Sequence, residues 1–204
     1  MSGFYLADPD TTGMSQRAAA KARRRVELLR AAAVIMADKG FHAMRLEDLG
    51  EAAGISGPAV YRYFASKEEI LTDLMTGISE KLYEEALQIT KGLSEPRQRL
   101  LALINLQIDF AMTEPELIRL HNRELFRMAE DGRERVRKAQ GGILTMFAEA
   151  LADFDSRYEG EAGRITAQLL AGQINSLELT RSWASPALAR QASLHAAESA
   201  VGLR

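Results

Sequence analysis

The chain has 204 residues, of which 47% are hydrophobic and 26% charged, proportions of a folded globular protein rather than a disordered one. It has no cysteine, which excludes disulfides, thiolate catalysis, cysteine-ligated zinc and iron–sulfur clusters, and it fits a reducing, cytoplasmic setting. The net charge of -2 conceals an asymmetry: residues 17–67 carry ten Lys/Arg against five Asp/Glu, and residues 68–204 carry 16 against 21, so an anionic surface is the expected partner of the N-terminal end.

Residues 1–16 show no apolar periodicity and read as a disordered tail without the basic-then-apolar pattern of a signal peptide. A helix is expected over 17–39, with Leu28, Leu29, Ala32, Ile35 and Met36 as its stripe and Gly40 as its C-cap. Two short helices follow, 46–53 and 58–64, joined by Gly54-Ile55-Ser56. Ser56 or Gly57 can cap the second, and Pro58 suits its first turn. Ser66-Lys67-Glu68-Glu69 reads as a capping box that opens a long helix over 67–91. Five more helices are expected, at 96–113, 115–130, 132–154, 160–183 and 186–202, with Pro96, Pro115 and Pro186 at three of the starts. No segment alternates with period two, so the fold class is all-α, of about nine helices. The charge-free stretch 165–177 is too short to span a bilayer.

The segment 45–64 has the form of a helix-turn-helix. Gly54 permits the tight turn, and Ile55 plugs the junction. Val60 and Phe64 would anchor the second helix. Its other side carries small or flat groups, Gly57, Pro58, Ala59, Tyr61 and Arg62, that can approach base edges in a major groove. Arg17, Lys21, Arg23, Arg24 and Arg25 precede the unit, and Lys67 follows it at a helix N-terminus, where phosphates bind.

Residues 28–74 resemble the DNA-binding domain of tetracycline-repressor (TetR) type transcriptional regulators. The resemblance rests on Lys39-Gly40-Phe41, Glu47-Asp48-Leu49, Ala52-Ala53-Gly54-Ile55-Ser56, Tyr61-x-Tyr63-Phe64 and Ser66-Lys67-Glu68-Glu69-Ile70-Leu71. It implies an N-terminal helix-turn-helix domain over 17–66 and a C-terminal ligand-binding and dimerisation domain over 67–204, with 67–91 as the connecting helix. It implies that Gly57, Pro58 and Ala59 lie against bases and that Tyr61 contacts a phosphate or a thymine methyl. Arg62 and Tyr63 would reach backbone or base edges, Lys67 a phosphate, and Ser56 would cap the recognition helix. Arg45 stands where the family usually has a Ser or Thr cap; it can reach a phosphate instead. Gly50 replaces a usual alanine, at a cost in helix propensity of up to about 1 kcal/mol.

The implied partners are double-stranded operator DNA, a second copy of the chain, and a small-molecule effector, either apolar or an acyl-thioester of coenzyme A; no membrane is involved. The expected pocket draws on Leu103, Leu106, Gln107 and Phe110, then Asn122 and Phe126, then Met146 and Phe147, with Gln173, Ile174 and Leu177 closing it; Asn175 is a further polar candidate. The expected dimer interface combines Ile165 and Leu169 with the stripe Leu188, Ala189, Ala192, Ala196 and Ala200. The arginines between 119 and 137 read as solvated helix faces. No cofactor, catalytic residue or metal site is implied. Two other readings differ in class: a ligand-binding protein on this scaffold that no longer reads DNA, and a helical-bundle metalloenzyme using His121 and Glu124.

Overall fold

The structure, a computed structural model, describes Leu6 and residues 8–203. The rest of the expected tail lies outside the described residues. Within them Leu6 and Asp8 are tied to the first helix: Arg30 Nε donates to the Leu6 carbonyl at 2.7 Å, and its guanidinium meets Asp8 at 3.1 Å.

Nine α-helices and three short 3-10 turns make up the described residues, without a strand. α1 (Gln16–Lys39) begins at Ser15, whose hydroxyl accepts from Ala18 N–H, and ends at Gly40. Its stripe of Leu28, Ala32 and Met36 is fully buried. α2 (Leu46–Ala52) and α3 (Gly57–Val60) pack on it around Leu49, Val60 and Phe64. α4 (Lys67–Thr90) leaves this head and enters a second layer, where α4, α5 (Pro96–Thr113) and α8 (Glu161–Asn175) surround α7 (Glu130–Phe154). α6 (Pro115–Glu124) lies on α1, and α9 (Pro186–Val201) covers α5 and α8. Each apolar stripe faces the core that these helices share.

Three expected helices are shorter in the structure. The expected 115–130 helix breaks at Glu124, whose carboxylate is drawn off the helix to accept from Phe41 N–H at 3.3 Å and Arg127 Nε at 2.7 Å. The expected 160–183 helix gives way after Asn175 to a 3-10 turn, Ser176–Thr180. The Ser176 and Thr180 hydroxyls donate there to the Gln173 and Leu177 carbonyls and compete with the helical pattern. The recognition segment is α-helical only from Gly57 to Val60, then turns tightly, with Tyr63 and Phe64 N–H both donating to the Val60 carbonyl.

Candidate functional site

The turn between α2 and α3 closes as a Schellman motif. Gly54 has φ +67°, its N–H donates to the Glu51 carbonyl at 3.1 Å, and Ile55 N–H donates to the Gly50 carbonyl at 2.9 Å. Gly50 has a second role that helix propensity does not show. A Cβ there would stand 2.8 Å from the Ile55 carbonyl oxygen and 3.0 Å from Gly57 N, so the bare backbone lets the two helices meet. Gly57 is nearly as tight, 3.1 Å from Glu47 Cγ.

With Val60 and Phe64 buried, the opposite side of the segment faces outward. Tyr61 is 57% exposed, and Arg62, Pro58, Ser56 and Arg45 are also exposed. Gly57 and Ala59 are half-buried. Tyr63 is half-buried and packs partly against the core. Ser56 stands at the N-cap position, but its hydroxyl makes no capping bond, which leaves it free at the surface. Arg45 supplies its backbone N–H to Asp48 Oδ2 at 3.3 Å, and its guanidinium stays in solvent.

The cations divide into two groups. Arg62, Arg45, Arg17, Lys21 and Arg23 are exposed and make no ion pair among the described residues. The others hold the head together. Arg24 donates to the Ala53 carbonyl at the end of α2 at 3.0 Å. Arg25 pairs with Asp73 and lies 4.6 Å from the Phe64 ring centroid. Lys67, expected on a phosphate, donates to the Phe41 and His42 carbonyls at 3.3 and 3.1 Å, and its amine sits 4.8 Å from the Phe41 ring centroid. The Ser66 hydroxyl caps α4 by accepting from Glu69 N–H, and the Glu69 carboxylate accepts from Ala65 N–H rather than from Ser66.

A second site lies in the other layer. α4, α5, α6, α7 and α8 line a partly open cavity of about 150 Å³. Of the expected pocket residues, Gln107 and Phe110 line it, and Asn175 joins them, with Gln107 Nε2 donating to Asn175 Oδ1 at 2.7 Å. Leu103, Phe147, Ile174 and Leu177 are buried in the surrounding core instead, and Met146 packs at its edge. Leu106 lines a separate groove on α4 and α5. Gln173 is exposed because the α8 face toward the cavity is Gln168, Ala171 and Asn175, roughly half a turn away. Asn122 is exposed, and Phe126 is 64% exposed because the chain leaves the helix at Glu124.

His121 and Gln140, which sequence reasoning missed as lining groups, meet at 3.0 Å beside the cavity. The pairing of His121 with Glu124 as metal ligands is not supported, since the ring faces Gln140 and the carboxylate faces Phe41 N–H and Arg127. Among the described residues no group of three or more potential metal ligands occurs. Arg123 and Arg127 are not merely solvated. Arg123 donates to the Ala37 carbonyl at 3.2 Å, and Arg127 meets His42 Nε2. Arg133, Arg137 and Arg135 do form surface pairs, with Glu130 and Glu80. The Glu130 carboxyl is held below its ordinary range chiefly by its bond from Arg133.

The expected dimer residues form a surface. Ile165, Leu169 and Leu188 are exposed, as are Ala192, Ala196 and Ala200, with Ala189 half-buried behind them. Leu179 and Trp183, on the turns after α8, are exposed as well; Trp183 is 77% exposed.

An outward reading segment braced on a three-helix head, with unpaired cations around it and a separate chamber behind, defines a helix-turn-helix DNA-binding regulator. Residues 28–74 match the family model described as "Bacterial regulatory proteins, tetR family", so the N-terminal head is a TetR-type DNA-binding domain. This is a family of regulators, not of enzymes. The HTH-type transcriptional repressor KstR2 of Mycobacterium tuberculosis is 29% identical over 134 residues, 62% of this chain and 67% of the repressor. A TetR-family regulator from Bordetella parapertussis superposes with a TM-score of 0.75 at 22% identity, over 85% of this chain and 93% of that one. AibR, solved with isovaleryl coenzyme A and operator DNA, superposes with a TM-score of 0.70 at 16% identity, over 84% of this chain and 96% of its own. These two likenesses establish a shared fold. No helix among the described residues is long and apolar enough to cross a membrane.

Proposed function

We propose that the chain acts in the cytoplasm as a homodimeric repressor that leaves its operator when a small molecule fills the chamber. In this reading residues 17–66 are the DNA-binding head and 67–204 the sensing and dimerising part. The observation that carries it is the placement of Tyr61 and Arg62, held outward by the buried Val60 and Phe64, with Arg45 of the same helix-turn-helix also exposed and without an ion pair among the described residues. Tyr61 and Arg62 contact DNA together with Pro58, the half-buried Gly57 and Ala59, and the Ser56 hydroxyl. Tyr63 contributes its outer edge. Lys67 has one N–H left for a phosphate after two are given to the turn at Phe41 and His42.

Two elements join chamber to head. Met75 and Ile78 of α4 line the chamber, while the N-terminus of α4 abuts the recognition segment. Leu117, Ile118 and His121 of α6 line it too, while Arg123 and Glu124 at the far end grip α1 and the turn after it. A ligand that shifts either helix changes the distance between two heads, and half-sites one helical turn apart accept a single spacing. A coupling of about 1–3 kcal/mol suffices for a switch. The exposed apolar face of α8, the following turns and α9 supplies the dimer contact.

A mobility shift with the region upstream of the gene tests the reading. Specific binding, lost on changing Tyr61 and Arg62 to alanine, is the expected result. Absence of binding at low salt favours a ligand-binding protein on the same scaffold, an alternative supported by Gly57, which offers no side chain to bases.

A further inference from the structure

This inference rests on the chamber being the effector site, and it names what that site takes. Its walls divide by chemistry. Met75, Ile78 and Leu82 of α4, Phe110 of α5, and Leu117 and Ile118 of α6 give an apolar side. Polar groups come from Ser79, Gln107, His121, Gln140, Gln168 and Asn175. None of the lining residues is Asp, Glu, Lys or Arg.

The polar groups are arranged in pairs that leave capacity unspent. Gln107 gives one N–H to Asn175 Oδ1 at 2.7 Å, and Gln140 Oε1 meets His121 Nε2 at 3.0 Å. A carboxamide has two N–H donors and two acceptor lone pairs, so the Asn175 and Gln140 amino groups can still donate. Such donors suit a neutral oxygen. A carboxylate here would lose its hydration and find no arginine or lysine among the lining side chains, which disfavours it strongly. Size narrows the class further, because a cavity of about 150 Å³ holds roughly one benzene-sized ring.

We propose that the chamber takes an uncharged group of about one six-membered ring or a short branched chain, bearing a carbonyl or hydroxyl oxygen that accepts hydrogen bonds from the amides around Gln107–Asn175 and His121–Gln140. A free ketone or alcohol offers this chemistry, and so does the acyl end of a thioester.

The test uses the full chain without DNA, at alkaline pH, and follows binding by calorimetry and by the thermal midpoint. Cyclohexanone is expected to bind and raise the midpoint, and cyclohexanecarboxylate to bind at least about tenfold more weakly. Gln107→Leu should weaken cyclohexanone to a similar degree. Leu144→Trp, which fills the chamber from α7, should abolish binding and keeps the test decisive if Gln107→Leu does not fold. Competition by isovaleryl coenzyme A, but not by coenzyme A, would assign the oxygen to a thioester; no competition by either, with cyclohexanone bound, would assign it to a free ketone or alcohol. Carboxylate binding as tight as ketone binding overturns the proposal, as does ketone binding that survives Leu144→Trp, or a chain that binds neither cyclohexanone nor isovaleryl coenzyme A. A mobility shift on the same preparation reads operator binding separately, so a chain that holds DNA yet rejects both probes refutes this inference alone.

Discussion

Arg62 and Lys67 separate two jobs that a basic residue near DNA can have. Arg62 is exposed without an ion pair among the described residues, so Arg62→Ala should alter operator affinity or sequence preference and leave the thermal midpoint within error. Lys67→Met removes two bonds to the Phe41 and His42 carbonyls, so it should lower stability by about 1–3 kcal/mol as well as weaken DNA binding. Equal midpoints for the two variants would show that the Lys67 clamp contributes nothing. Gly163 gives a purely steric prediction. A Cβ there would lie 2.2 Å from the Tyr158 carbonyl oxygen, so Gly163→Ala should destabilise by about 1–3 kcal/mol in chemical denaturation despite its better helix propensity. At this scale the sequence pattern was informative for side chains whose neighbours are local. The outward Tyr61 and Arg62 follow from the buried Val60 and Phe64, which flank them four residues apart on the same segment. The spent amine of Lys67 does not follow, because its partners are 25 and 26 residues away.

Helix ends show the same division. Pro96, Pro115 and Pro186 start their helices, and Gly40 and Gly202 follow the ends of theirs, all by local backbone rules. The end of α6 obeys a distant partner instead: Glu124 is buried against Phe41 N–H, 83 residues earlier. That contact makes α6 a tie between chamber and head, since Leu117, Ile118 and His121 of the same helix line the cavity. Glu124→Ala should therefore leave effector binding near its original strength while blunting the effector's release of DNA. Titrating effector against a labelled operator duplex with both proteins measures this, and unchanged release would assign the coupling to α4 alone. Of the expected pocket residues, Gln107, Phe110 and Asn175 line the cavity while others lie in the surrounding core or at the surface, for a related reason. Periodicity identifies which face of α5 or α8 is apolar, but not which stretch of that face borders a void and which borders a neighbouring helix.

For the whole molecule, the charge asymmetry, the all-helical architecture and the helix-turn-helix are legible in the sequence. The extent of the exposed apolar surface after α8 is not, because the 3-10 turn that carries Leu179 is set by the Ser176 and Thr180 hydroxyls rather than by apolar periodicity. That face predicts assembly: Leu169→Glu with Trp183→Glu should convert a dimer to a monomer in sedimentation and lower operator affinity along with it. The central claim is that the segment around Tyr61 and Arg62 reads DNA. Its most direct measurement is the equilibrium binding of an upstream duplex across a salt series, for the unaltered chain and for the Tyr61→Ala, Arg62→Ala double variant. The account predicts saturable binding that weakens steeply with salt, and a loss of at least about tenfold in the variant with dimerisation and thermal midpoint retained. Binding of undiminished strength in the variant, with the same salt dependence, would contradict it.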